Sequence, residues 1–350
     1  MIRRLLLLLI TLILIFTACS PVSEADINPT TVLEDPTQAP ESTATEISPT
    51  EVKPTDTSEP IPTATEKTEV EDAEKILIDD LGREIIFTGY PQRIVTLGPS
   101  SLESLFAIGA GSQVVGREEF STYPEEALEV TSVGSLFGEL PTEVILALEP
   151  DLVITPEIIS AEQVQAMEDL GLKVYFQANP VDFEGLWKNL RTLGSISGHE
   201  AEAEALISEL ENRIEIVNEK IELVSDRPTV FYELDATDPQ NPYTIGSGTF
   251  IDTIISMAGG DNIGSVLDGA YAQISSEEVI AQNPELILLA DAPYGITPES
   301  VAERAGWEGI TAIINNQVYP FDPFLVSVPG PRLVEGLETM ATIIHPEVFK

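Results

Sequence analysis

The stretch EVILALEPDLVI (Glu143–Ile154) returns 134 positions later as EEVIAQNPELIL (Glu277–Leu288). Glu143, Ala147, Pro150, Asp151 and Leu152 fall in register with Glu277, Ala281, Pro284, Glu285 and Leu286. Each copy reads as a short amphipathic helix, a proline that stops it, and a buried strand that begins at the next acid. Two such units at a fixed offset imply two similar lobes, each with an exposed glutamate at the start of the repeated helix. Paired lobes of this kind leave a ligand cleft between them.

Strands and helices alternate outward from the repeats. Ile76–Asp79 and Glu84–Phe87 read as a hairpin around Gly82, and Arg93–Leu97 as a buried strand. Ser100–Ile108 reads as a helix capped by Ser100 or Ser101 and closed by Gly109. Val114–Gly116 is a short strand, Arg117–Pro124 a loop, Ala161–Leu170 a helix and Lys173–Phe176 a strand. His199–Val224 carries Ala, Leu and Ile at helical spacing with no Gly or Pro; as one rod it spans about 39 Å. After Arg227-Pro228 come strands at Thr229–Glu233 and Val318–Pro320, and helices at Thr249–Met257 and Pro331–His345. The fold class expected is α/β: two lobes with mainly parallel central sheets joined by one long helix. The expected boundaries are 75–198 for the N-terminal lobe, 199–226 for the inter-lobe helix and 227–350 for the C-terminal lobe.

Ahead of the lobes, Arg3 and Arg4 precede an apolar run to Phe16 that is too short for a comfortable bilayer span. Residues 1–18 therefore read as a signal peptide. Phe16-Thr17-Ala18-Cys19 resembles a bacterial lipobox, with Cys19 as the lipidated residue. It is the only cysteine, so no disulfide framework exists. Residues 19–74 are rich in Thr, Pro and Glu and poor in large apolar side chains. They cannot bury enough surface to offset ordering entropy and read as a disordered tether. From Lys75 onward 45 acidic and 13 basic residues leave a formal charge of −32. That field argues against nucleic acid and against anionic lipid surfaces, and disfavours multiply anionic ligands.

Several stretches together resemble the substrate-binding lipoproteins of bacterial importers for cobalamin and iron chelates, the helical-backbone class of periplasmic binding proteins. They are Pro91–Ser100, Tyr123–Ala127, Glu143–Ile154, Ala258–Ile263, the second repeat and Pro329–Arg332. The resemblance implies a monomeric receptor, lipid-anchored outside the membrane. It would hold a cobalamin-like corrinoid or a ferric siderophore between its lobes and deliver it to the permease subunits of an ABC importer, with no cofactor of its own. It also implies that Glu143 and Glu277 dock on arginines of the two permease subunits, with Glu278 able to stand in for Glu277. The residues alone leave open that each is only a solvated first-turn acid favoured by the helix dipole.

The resemblance points to aromatic cleft walls, and Tyr123, Phe137, Tyr243, Tyr271 and Phe324 are the expected contacts. Each of them also fits as a loop aromatic packed on its own lobe. Arg117 and Arg332 are the basic residues expected to reach the ligand, a surface salt bridge being the other reading for each. Where cobalamin receptors often carry Trp, this chain has Phe137, Pro156 and Tyr271. The two histidines, His199 and His345, lack ligand-spaced partners and read as surface residues, which argues against direct metal binding. No nucleophile–base pair is evident, though a glycan-acting surface enzyme with paired carboxylates and a purely structural lipoprotein stay open as alternatives.

Overall fold

The computed structural model describes residues 74–349. Cys19, the signal peptide and the tether expected before Glu74 lie outside the described residues. The described residues open with the antiparallel ribbon β1 (Glu74–Ile78) and β2 (Glu84–Thr88), in which Ile76 faces Ile86. Its turn is held by buried Asp79, which accepts from the backbone N–H groups of Leu81 and Arg83 and pairs with the Arg83 guanidinium.

Five parallel strands then build the first lobe in the order β5-β4-β3-β6-β7. They are β3 (Ile94–Thr96), β4 (Val114–Glu118), β5 (Thr131–Gly134), β6 (Leu152–Pro156) and β7 (Val174–Gln177). β3, β6 and β7 are continuous buried runs, as strands covered on both faces must be. The covering helices are α1 (Pro99–Ala107), α2 (Thr142–Ala147), α3 (Ala161–Asp169) and α4 (Phe183–Ser197). α1 differs from the sequence expectation at its start. Gly98 is the N-cap and Pro99 begins the helix, where a missing N–H costs nothing. The Ser101 hydroxyl instead bonds the Gly98 carbonyl at 3.0 Å and lies 2.5 Å from Thr96 Oγ1.

The long helix α5 runs Glu200–Ile221, 22 residues, or about 33 Å. It is shorter at both ends than the unbroken pattern suggests, and α4, which the sequence reading did not separate, packs along it up to Gly198 at φ 82°. The second lobe has the parallel order β10-β8-β12-β13, from β8 (Thr229–Glu233), β10 (Asp261–Asn262), β12 (Leu286–Leu289) and β13 (Val318–Pro320). An added antiparallel ribbon pairs β9 (Tyr243–Ile245) with β11 (Tyr271–Gln273). Its helices are α6 (Phe250–Met257), α7 (Ser276–Gln282), α8 (Pro298–Ala302), α9 (Thr311–Ile314), α10 (Phe324–Ser327) and α11 (Leu333–Ile344).

The repeat has a common structural meaning in both lobes. α2 leads into β6 beside β3, and α7 leads into β12 beside β8. The residue before each repeated proline, Glu149 or Asn283, is left-handed at φ 46° and 49°. The acid after each proline clamps the start of the neighbouring central strand. Asp151 accepts from Arg93 N at 3.0 Å, and Glu285 from Thr229 N at 3.0 Å.

One apolar cluster fills the outer side of each sheet, around Val95, Ile145 and Met167 in the first lobe and Phe231, Ile287 and Trp307 in the second. The buried Trp307 indole donates to Ser276 Oγ at 2.7 Å, so its polar edge is satisfied. A third cluster is continuous between lobes through α1, α4, α5, α6 and α11, which makes the helical layer a shared spine. His345 belongs to that spine and not to the surface. It is buried, and its ring meets the Gly259 carbonyl at 3.1 Å.

Candidate functional site

In open parallel sheets, ligands sit beyond the carboxyl ends of the strands. Three of the five aromatics singled out from sequence follow such an end. Tyr123 lies after β4, Phe137 after β5 and Phe324 after β13. All of these, with Tyr243 and Tyr271, are exposed, from 43% for Tyr243 to 72% for Phe137. Rings left in water at strand ends contribute no core, which is the condition for meeting a ligand.

In the first lobe the loop after β4 is the framework. Glu118 is buried and accepts from Phe120 N at 2.7 Å and from Ser121 Oγ at 2.5 Å. Arg117 is buried too, its Nε donating to the Ala127 carbonyl at 3.0 Å and its Nη1 to the Glu118 carbonyl at 3.1 Å. Arg117, expected to reach the ligand, has its Nε and Nη1 engaged within its own loop. Its donors brace the loop, because a buried guanidinium must have its hydrogen bonds met locally. That loop holds out Phe120, which sequence reasoning missed and which packs edge-on against Phe137 with centroids 5.8 Å apart. The signal was available, since Phe120 stands in the same strand-end loop as Tyr123.

In the second lobe Tyr243 and Tyr271 are not loop residues. They lie on the ribbon, where Tyr243 faces Gln273 and Tyr271 faces Ile245, so the two rings are diagonal neighbours on one face. Backbone bonds from Leu234 and to Asp235 tie the ribbon to the end of β8. Gly246 follows β9, and a Cβ there would run into the Gly269 carbonyl oxygen, so the ribbon closes only around glycine. Phe324 begins α10, its N–H donating to Asp322 Oδ1 at 2.9 Å.

Arg332 reaches the junction of the lobes but is already engaged. Its guanidinium makes a two-point pair with Glu103 of α1, Nε lying 3.0 Å from Oε2, and it stacks 4.0 Å from the centroid of the Tyr123 ring. Burial pushes the Glu103 carboxyl above the ordinary range, and Arg332 pulls against that rise while Glu335 and Asp322 add to it. Nearby, Arg304 forks onto Glu233 at the end of β8 through bonds of 2.5 and 2.7 Å. Just past β12, Asp291 is buried and accepts from Ala236 N at 3.0 Å, while its Oδ1 has no partner among the described residues. Burial first, then the charge of Glu233, pushes its carboxyl up to about 6.

Among the described residues, all twelve lysines and arginines hold a carboxylate, a backbone carbonyl or an aromatic face. No group of three or more His, Cys, Asp or Glu among those residues is spaced to hold a metal ion. Glu143 and Glu277 stand exposed in the first turns of α2 and α7.

The periplasmic binding protein family model matches residues 94–324. The uncharacterized ABC transporter substrate-binding lipoprotein YvrC of Bacillus subtilis is 32% identical over 293 residues, 82% of this chain and 90% of that protein. The cobalamin-binding protein of Halobacterium salinarum is 29% identical over 262 residues, 73% of this chain and 70% of that one. Among solved structures, the periplasmic heme-binding protein RhuT from Roseiflexus sp. RS-1 matches with a TM-score of 0.66 at 25% identity, covering 73% of this chain and 99% of its own. The chain belongs to the periplasmic binding protein family, as an extracytoplasmic substrate-binding protein of an ABC transporter. Its role is to bind and hand over, which sets aside the glycan-acting enzyme left open above.

Proposed function

We propose that this protein captures an uncharged or cationic macrocyclic chelate, a cobalamin-like corrinoid ahead of a neutral ferric siderophore, between its two lobes. The observation that carries this reading is the contrast at the strand ends. Aromatic faces are exposed on both lobes, while every nearby cation is committed to an internal partner. A flat, largely apolar ligand gains from such rings at low entropic cost. A ligand bearing carboxylates would meet exposed acids such as Asp322 and Glu335 with no free cation among the described residues, and the protein's own field opposes it. The name of the Halobacterium relative agrees with a corrinoid; that of the Roseiflexus structure, a heme-binding protein, supplies the competing ligand.

Delivery would proceed by capture between the lobes and modest closure against the stiff spine. Docking of Glu143 and Glu277 on basic residues of two permease subunits would follow, one acid per lobe matching a two-fold partner. Cys19 would carry the lipid that keeps the receptor at the membrane, with residues 19–74 as tether. The domain limits follow the same reading, with lobes at 75–198 and 227–350 and the connecting helix between them. Isothermal titration with cyanocobalamin, a ferric hydroxamate and haem tests the ligand class. Micromolar or tighter binding of cyanocobalamin supports the reading. Binding of the hydroxamate alone reverses the order of preference, and binding of haem alone overturns the charge argument.

A further inference from the structure

Glu103 is out of place by local rules. It sits on α1 between Leu102 and Leu105, both fully buried, and is itself only 4% exposed. A carboxylate there is costly unless it is paired and hydrogen-bonded. Its partner comes from 229 residues downstream and from the other lobe, where Arg332 precedes α11. The loop before Arg332 is pressed against α1, since a Cβ on Gly330 would lie 3.3 Å from Glu103 Oε2 and 3.6 Å from the Ser100 carbonyl oxygen. The other face of the guanidinium covers the Tyr123 ring. One side chain from the second lobe thus grips two separate elements of the first, a helix through charge and a ligand-side loop through its ring. The pair lines a cavity of about 160 Å³ together with Ala107, Leu206, Leu210 and Glu335. Arg213, which lines the same cavity, is already held by Glu338 through bonds of 2.7 and 2.9 Å.

We propose that Glu103 and Arg332 are positioning residues that form a clasp between the lobes, setting their mutual angle and holding the Tyr123 ring toward the cleft. The importance of Tyr123 for a ligand rests on the reading in the previous subsection; the clasp does not. Removing one partner leaves the other as an uncompensated buried charge, so the effect must cross from one lobe to the other.

Hydrogen–deuterium exchange on the ligand-free full chain reads this directly. Glu103→Gln changes the first lobe, yet residues 328–336 of the second should exchange about fivefold faster along with residues 119–127. Arg332→Lys keeps the charge and loses the two-point geometry; it should show the same pattern more weakly, and it serves if Glu103→Gln fails to fold. With Arg332→Gln measured alone as well, the double variant E103Q/R332Q should exceed neither E103Q nor R332Q by much, because both remove one contact. Tyr123→Leu should leave residues 328–336 protected. In a parallel titration E103Q should bind cyanocobalamin about tenfold more weakly. The clasp is refuted if faster exchange stays within the substituted lobe, if the two single effects add in the double variant, or if Tyr123→Leu exposes residues 328–336 as much as E103Q does. A wild-type chain that ignores cyanocobalamin would defeat the ligand reading, and the exchange pattern would still decide on the clasp.

Discussion

Asp291→Asn is a substitution in which removing a charge should strengthen the fold, and more so at neutral than at acid pH. The Asp291 carboxyl has a folded-state pKa of about 6 against an ordinary value of 3.8, because burial and then the Glu233 charge oppose its ionisation. Arg304 relieves this only in part, since Glu233 already holds its fork. A raised carboxyl pKa means that the folded state binds the proton more tightly than the unfolded state. The stabilisation from protonation is complete below the unfolded value and is lost as pH rises through about 6. At 1.36 kcal/mol per unit, the full gap is worth about 3 kcal/mol. The protein around a buried charge relaxes and screens part of it, so about 1–2 kcal/mol is expected. Asparagine keeps a carbonyl oxygen to accept from Ala236 N and removes the charge. Urea unfolding at pH 7.5 should show D291N more stable by that amount, with unchanged slope, and the gain should fall by about half at pH 5. A gain that is flat between the two pH values, or a loss at pH 7.5 larger than at pH 5, would refute the electrostatic account.

Other outcomes follow from the same geometry. Phe137→Ala and Tyr271→Ala should each weaken cyanocobalamin binding by about tenfold in calorimetry and leave the melting temperature within a few degrees, because neither ring packs in a core. Glu143→Arg and Glu277→Arg should leave ligand affinity unchanged and abolish stimulation of the reconstituted importer's ATPase; unchanged stimulation would reduce both acids to helix-dipole ornaments. Gly246→Ala should displace the β9–β11 ribbon through the clash with Gly269, lowering ligand affinity at least tenfold, and near-UV circular dichroism should register the shift of Tyr243 and Tyr271.

Much of the architecture could be read from the chain because its signals are local. The helix–proline–strand unit requires only neighbouring residues: an apolar face, a ring that stops the helix and a buried run. Hence both copies, the parallel sheets flanking them and the long rod at Glu200–Ile221 were legible, while α4, the β9–β11 ribbon and the short helices of the second lobe were not. Tyr123, Phe137 and Phe324 could be placed after strands for the same reason, whereas the ribbon that carries Tyr243 and Tyr271 went unread.

The fate of the charges was not legible. Arg117, Arg332 and Glu103 each look like exposed polar residues in one dimension, and His345 looks like a surface imidazole. Only the tertiary structure turned Arg117 inward to brace its loop, sank His345 against Gly259 and joined Glu103 to a guanidinium 229 residues away. Periodicity and turn chemistry act over a few residues and so are written along the chain. A buried charge is tolerated or forbidden according to what the fold brings within about 3 Å of it, and that partner is set by the packing of both lobes.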